Sequence, residues 1–288
     1  MAIHPTPDRR LVPKLRPFLR DARGACAQER VWVRLELLVI GLLTSLGRHT
    51  LSQCIVTLGA GDADWSAWYR LFSTPRVAVE TLQRQVAAAM VGLLDRHAPL
   101  AVALDATHLP RTGRRMPGTG WTPHPRCAPW KRGIHRAQRW VGLNGLLPRS
   151  DQGDSRAVPL RWVPAPTPKA TPLPAHPPIT GAAGVALLAW LRATLDRLGQ
   201  TRRRVLAVAD GSYSGAGLWK RLPPRTTVLA RCAKNRALFA LPPDGGTDRR
   251  RKYGVRLPTP QQFRHERTGW SWFSIMVRGR SVRLRGCG

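Results

Sequence analysis

The sequence predicts an α/β chain preceded by an all-helical region, on three observations. Apolar residues recur at helical spacing up to about residue 98. At Pro99 the texture changes to short apolar runs of strand length. Those runs then follow the order strand, strand, strand, helix, strand, which belongs to a sheet with a crossover helix.

In the first region, "ERVWVRLELLVIGLLTSLG" is long enough for several buried helical turns, and "VAVETLQRQVAAAMVGLLDRH" aligns Leu82, Val86, Met90 and Leu93 on one stripe. Between them, "HTLSQCIVTLG" and "DADWSAWYRLFS" read as shorter helices, the second with Asp62 or Asp64 as its N-cap. From Pro99, "LAVALD" has the small and branched residues of a strand covered on both faces, and "RWVGLNGLLP" and "AVPLRWVP" read as two more strands. The proline-rich "PAPTPKATPLPAHPPIT" cannot be helical and serves as an extended surface connection. "GAAGVALLAWLRATLDRLG" then carries Leu187, Leu188, Leu191, Leu195 and Leu198 at helical spacing and stops at Gly199. "RRVLAVADGSYSG" is a strand and turn, "AGLWKRLP" a short helix and "TTVLARCAKN" a further strand. The alternation in "WSWFSIMVRGRSVRLR" predicts a hairpin.

Composition points to a polyanionic partner. The 288 residues include 47 Lys+Arg against 16 Asp+Glu, a formal charge of +31. A field of that size attracts nucleic acid through counterion release, although an acidic phospholipid surface would satisfy it too. The helical region is then either a packed scaffold or a DNA-contacting headpiece, since no recognition helix stands out. The most apolar segment has only 11 uncharged residues, from Leu37 to Gly47, where a membrane span needs ~20. The N-terminus lacks the apolar core of a signal peptide. The five cysteines are scattered without any C-x-x-C, as expected of reduced cytoplasmic thiols. His124, Cys127 and His135 could begin a zinc site, but no fourth ligand has the spacing for one.

Two runs share one shape, "AVALD" ending at Asp105 and "VLAVAD" ending at Asp210. In each, buried strand residues lead to a carboxylate where the strand leaves the sheet. On neighbouring parallel strands the two acids would converge, and both can ionise there only with a cation between them. Oxygen ligands of this kind suit Mg2+ or Mn2+, and on a basic chain they point to phosphodiester chemistry with two metal ions. The competing reading is that each Asp caps a turn by accepting backbone N–H bonds. "GSYSG" is not a nucleophile elbow, because Tyr213 holds the position of the serine, and "GAGLWK" lacks the G-K-[ST] of a phosphate-binding loop.

Together, "ATHLPRTGRRMPGTGW" after Asp105, "GIHRAQRWV" and "VLAVADGSYSG" resemble the DDE-type transposases of bacterial insertion sequences, the DDE superfamily endonucleases. The resemblance runs from about Trp65 to the last residue. It implies an RNase H-like mixed sheet whose first and fourth strands are adjacent, with Asp105 and Asp210 as the first two catalytic acids and metal ligands. It also implies DNA as substrate and a homodimer. The family's third acid is a Glu on a late helix beyond a β-rich insertion. The chain has four glutamates, Glu29, Glu36, Glu80 and Glu266, and the acids after Asp210 are Asp244, Asp248 and Glu266, all in turn-rich surroundings. The expectation is therefore a transposase that stops inside the insertion: residues 1–98 helical, 99–242 the catalytic core, and 243–288 the start of the insertion. Either it is an incomplete enzyme or it is a remnant that binds element ends without cutting.

The loop after Asp105 offers Arg111, Arg114 and Arg115 among glycines as a flexible basic segment for DNA phosphates, and Trp121 as a platform for an unpaired base or as a packed anchor. Arg136 and Arg139 at the start of a strand, and Lys234 and Arg236 after another, are further backbone contacts. Tyr213 either positions a phosphate or closes its turn.

Overall fold

The computed structural model describes residues 11–113, 115–124, 127–128, 130–131, 133–148, 156–167, 170, 180–240, 253–265, 269–277 and 280–286. The chain divides into two compact units, Met1–Leu93 and Leu94–Gly288.

The first unit is helical: α1 (Leu11–Asp21), a 3-10 turn (Ala22–Ala25), α2 (Glu29–Thr44), α3 (Leu51–Thr57), α4 (Trp65–Ser73) and α5 (Val79–Gly92). Thr50 caps α3 by accepting from Gln53 N at 3.2 Å, and Asp64 caps α4 by accepting from Ser66 N at 3.0 Å. Val31, Leu38, Cys54, Ile55, Trp68 and Leu71 form the core between α2, α3 and α4. Gly41 lets α2 and α3 touch, for a Cβ there would lie 3.1 Å from Cys54 Cβ. On α5 the buried residues are Ala87, Met90 and Val91, while Leu93 is 75% exposed. The expected stripe is thus displaced, because Leu93 is the C-cap and the helix turns small Ala87 toward its neighbours.

The second unit is built on a mixed sheet. Its strands are β1 (Leu100–Pro110), β2 (Thr119–Pro123), β3 (Ile134–Leu147), β4 (Arg156–Pro164), β5 (Val205–Ala209) and β6 (Thr226–Ala230). The spatial order is β2-β3-β1-β5-β6, with β4 also on β3. β1 runs antiparallel to β3 and parallel to β5, which is parallel to β6. Helix α6 (Thr180–Arg197) makes the crossover into β5, and α7 (Ala216–Trp219) the one into β6. This is the RNase H-like arrangement, with the first and fourth of the expected strands side by side.

Leu187, Leu188, Leu191 and Leu195 of α6 are at most 1% exposed and cover the face that carries Leu100, Val102, Leu104, Val141, Leu143, Leu160 and Val205. Gly199 ends α6 at φ +71, a conformation that costs a side chain energy. The run before Asp210, expected to be buried throughout, is not so on β5. Leu206 and Val208 are 38% and 39% exposed, and the strand alternates because α6 covers one side only. At the start of β1 and β5, buried Arg203 donates to Ala98 O at 3.1 Å and Asp95 O at 2.7 Å, tying the approach of one strand to that of the other.

The remaining elements are β7 (Leu238–Phe239), β8 (Arg256–Leu257), α8 (Pro260–His265) and the hairpin β9 (Ser271–Val277) and β10 (Arg280–Gly286). Arg114, most of the proline-rich connection, Asp244, Asp248 and Glu266 lie outside the described residues. No described helix is long and apolar enough to cross a membrane.

Candidate active site

The parallel ladder between β1 and β5 ends at the rung Leu104–Ala209, so Asp105 and Asp210 are the next residue on each strand. The rung beyond on β6 pairs Ala209 with Ala230, which sets Arg231 after them. Three adjacent parallel strands therefore place Asp, Asp and Arg just past the end of their shared parallel ladder, the side on which open α/β sheets place ligands. Arg231 escaped the sequence reading, although its place at the end of the third apolar run was a usable signal.

Asp105 differs from expectation in one respect. Its strand does not leave the sheet there but continues to Pro110 against β3, because β3 is long enough to pair with it through Ala137. What ends at Asp105 is the contact with β5. Opposite it in the β1–β3 register is Gly142, over which the Trp162 indole lies so closely that a Cβ would come within 2.9 Å of the ring. Glycine is required there to let the indole lie beside the acid.

Each carboxylate is half committed. Ala106 N donates to Asp105 Oδ1 at 2.8 Å, while Asp210 Oδ1 accepts from Ser212 N at 3.0 Å and Ser212 Oγ at 2.5 Å. The turn-capping reading is met through one oxygen of each acid, and the ligand reading would use the other. Neither Oδ2 accepts a hydrogen bond among the described residues, and both acids are exposed.

Beneath them, Tyr213 is fully buried against α6, where a Cβ on Gly184 would approach its ring at 3.1 Å. Its hydroxyl has no hydrogen-bond partner among the described residues. Burial first, then the Asp210 and Asp105 carboxylates, push the phenol well above its usual range, with Arg139 pulling the other way. Both acids thus lie near enough to act on one buried hydroxyl. Tyr213 cannot touch DNA from the surface; it underlies the acids. A buried hydroxyl without a partner costs about 1–3 kcal/mol. Tyr213→Phe is accordingly expected to raise unfolding stability by about 1 kcal/mol in urea titration.

Arg136 and Arg139 do not act together as expected. Three residues apart on β3 they take opposite faces, since side chains alternate along a strand. Arg139 lies on the α6 side opposite His108 and acts on Tyr213, with its Nε buried and unpartnered among the described residues. Arg136 faces the other way and donates to Thr119 Oγ1 at 2.8 Å. Arg236 reaches Ser214 Oγ in the turn after Asp210, whereas Lys234 is exposed and its carbonyl accepts from Gln261 N at 2.9 Å at the start of α8. Arg111 and Arg115 are exposed. The segment after Asp105 is less loose than its composition implied, because Thr119–Pro123 forms β2 and places Trp121 on a strand.

The histidines meet as well. His135 Nε2 lies 3.3 Å from His108 Nδ1, and the His124 ring meets that of His135 edge-on at 4.7 Å. Burial, then neighbouring positive charge, lowers the pKa of His108 and His135, which keeps both rings neutral. Among the described residues no three His, Cys, Asp or Glu are arranged to hold a metal ion, either here or beside Asp105 and Asp210. The two carboxylate oxygens left without hydrogen bonds among the described residues would nevertheless suit a hard cation that keeps waters and takes phosphate oxygens as its remaining ligands.

The sheet is of the RNase H-like class, with an aspartate following the last rung on each of two adjacent parallel strands. Residues 25–278 match the family model described as DDE superfamily endonuclease. The chain belongs to that family, whose endonucleases act on DNA with divalent metals, and the match takes in most of the helical unit ahead of Trp65, where the resemblance read from the motifs began. A search of curated proteins gave no match.

Proposed function

We propose that the protein acts on DNA as the transposase of an insertion sequence, with Asp105 and Asp210 holding Mg2+ or Mn2+ for strand cleavage and transfer. The single observation that carries the reading is the β1–β5 register, which sets the two acids side by side at the end of the parallel ladder. The cation supplies charge stabilisation for the attacking and leaving oxygens when bound. The chain's own residues orient the acids through Ala106 N and the Ser212 turn, and exclude water beneath them with Tyr213 and α6. Arg231 and Arg236 stand where they would meet the phosphate backbone beside Asp210. Arg111 and Arg115 extend that contact along the DNA, and a homodimer would present two such sites.

A second reading has an observation of its own. The one described helix after β6, α8, carries "PQQFRH" and therefore no acid that could complete a triad. On this reading the chain holds element ends without cutting them. Supercoiled plasmid separates the two: the enzyme reading expects nicked circles that need Mg2+ or Mn2+ and vanish with chelator, the second expects bound but intact plasmid. Both require duplex affinity that falls steeply with salt, with a log–log slope of about −4 or steeper for five or more phosphate contacts. Affinity indifferent to salt would defeat both.

A further inference from the structure

Beyond the acids, five residues further along β1, Pro110, Arg111, Thr112, Met116, Trp121 and Arg136 enclose a cavity of about 570 Å³. Its size falls within the range of small-ligand pockets. One wall is an indole that remains 64% exposed on a paired strand. That indole shares its cavity with two arginines.

The surroundings are built to hold these walls in place. Thr119, 1% exposed, donates from its hydroxyl to Met116 O at 2.7 Å and accepts from Arg136 at 2.8 Å. Gln138 donates to Pro117 O at 2.7 Å, and Arg111 N to Arg136 O at 3.0 Å. Gly118 takes φ +75 in the turn, and Gly120 leaves room for Ala170, whose Cα would sit 3.1 Å from any Cβ. An aromatic face flanked by two guanidinium groups is the chemistry that stacks a planar base and pairs with its phosphate. In a duplex the faces of the bases are covered by their neighbours, so only an unpaired base can reach such a wall.

We propose that this pocket captures one unpaired nucleotide of the DNA, with the base on the Trp121 indole and its phosphate at Arg111 and Arg136. The proposal rests on the DNA reading above and refines it. At ~3.3 Å per residue the pocket lies about 17 Å from Asp105 along β1, a distance that B-DNA covers in about five base pairs.

The test uses three labelled DNAs and the full chain: a blunt duplex, the same duplex with a short single-stranded tail, and that duplex with an abasic tail of equal charge. The base-bearing tail is expected to bind about tenfold tighter than the abasic one, the yield of one aromatic stack. Trp121→Ala should erase that difference and Trp121→Phe should keep most of it. Equal affinity for the two tails, or a preference that survives Trp121→Ala, overturns the proposal while leaving the DNA reading intact. Failure to bind the blunt duplex at all would instead remove the DNA reading, and the pocket with it.

Discussion

Asp105→Asn and Asp210→Asn will each lower metal-dependent nicking by at least about 10³-fold, the loss of some 4 kcal/mol of transition-state stabilisation. Asparagine is the informative replacement. It keeps an Oδ1 acceptor for Ala106 N or for the Ser212 turn, so the local fold survives while the charge is removed. Duplex affinity should hold or rise slightly, since one negative charge leaves a chain of +31. Thermal unfolding measured beside the nicking rate separates the two effects. Nicking unchanged in both variants would show that any cleavage arises elsewhere. Nicking by neither variant nor wild type, with duplex binding retained, would support the non-cutting reading.

The second large effect is on stability. Arg203→Met is expected to cost roughly 3 kcal/mol, because Ala98 O and Asp95 O would each lose a buried donor at about 1–3 kcal/mol apiece, offset in part by the apolar replacement. Arg203 is 5% exposed, and burial lowers its pKa while Asp95 opposes that shift. Its third hydrogen bond, to Gln200 Oε1 at 2.7 Å, closes the turn before β5. The residue thus joins the chain entering β1 to the chain entering β5, and the rungs that follow carry the acids. Urea unfolding gives the number, and a loss under about 1 kcal/mol would show that water replaces the guanidinium without penalty. A nicking rate that falls further than stability explains would mark a shifted β1–β5 register.

Much of the site was legible because its signals are local. The runs before Asp105 and Asp210 have the length and branching of strands, and the leucines of α6 repeat at helical spacing up to a glycine. Arg231 was missed because its role depends on β6 lying beside β5. β2 was missed because "TGWTP" is too short and too mixed to show a period, and it is a strand only because β3 offers it an edge. The pairing of Arg136 with Arg139 misjudged a matter of parity, since an odd spacing on a strand divides two side chains between faces. Tyr213 read as a turn residue within reach of DNA, and its burial against Gly184 is a consequence of α6 packing over the turn.

By itself, then, the sequence determined the class of the chain and pointed to a polyanionic partner and to two candidate acids, because charge and hydrophobic period are properties of residues near one another along the chain. The tertiary structure decided that Asp105 lies mid-strand where two neighbours part company, that Arg231 follows Asp210 across the sheet, that a hydroxyl is buried beneath both acids, and that Trp121 walls a pocket. Each of these depends on which strand edge a segment finds and which face a helix covers, and hydrogen-bond register between distant segments is settled only when the sheet assembles.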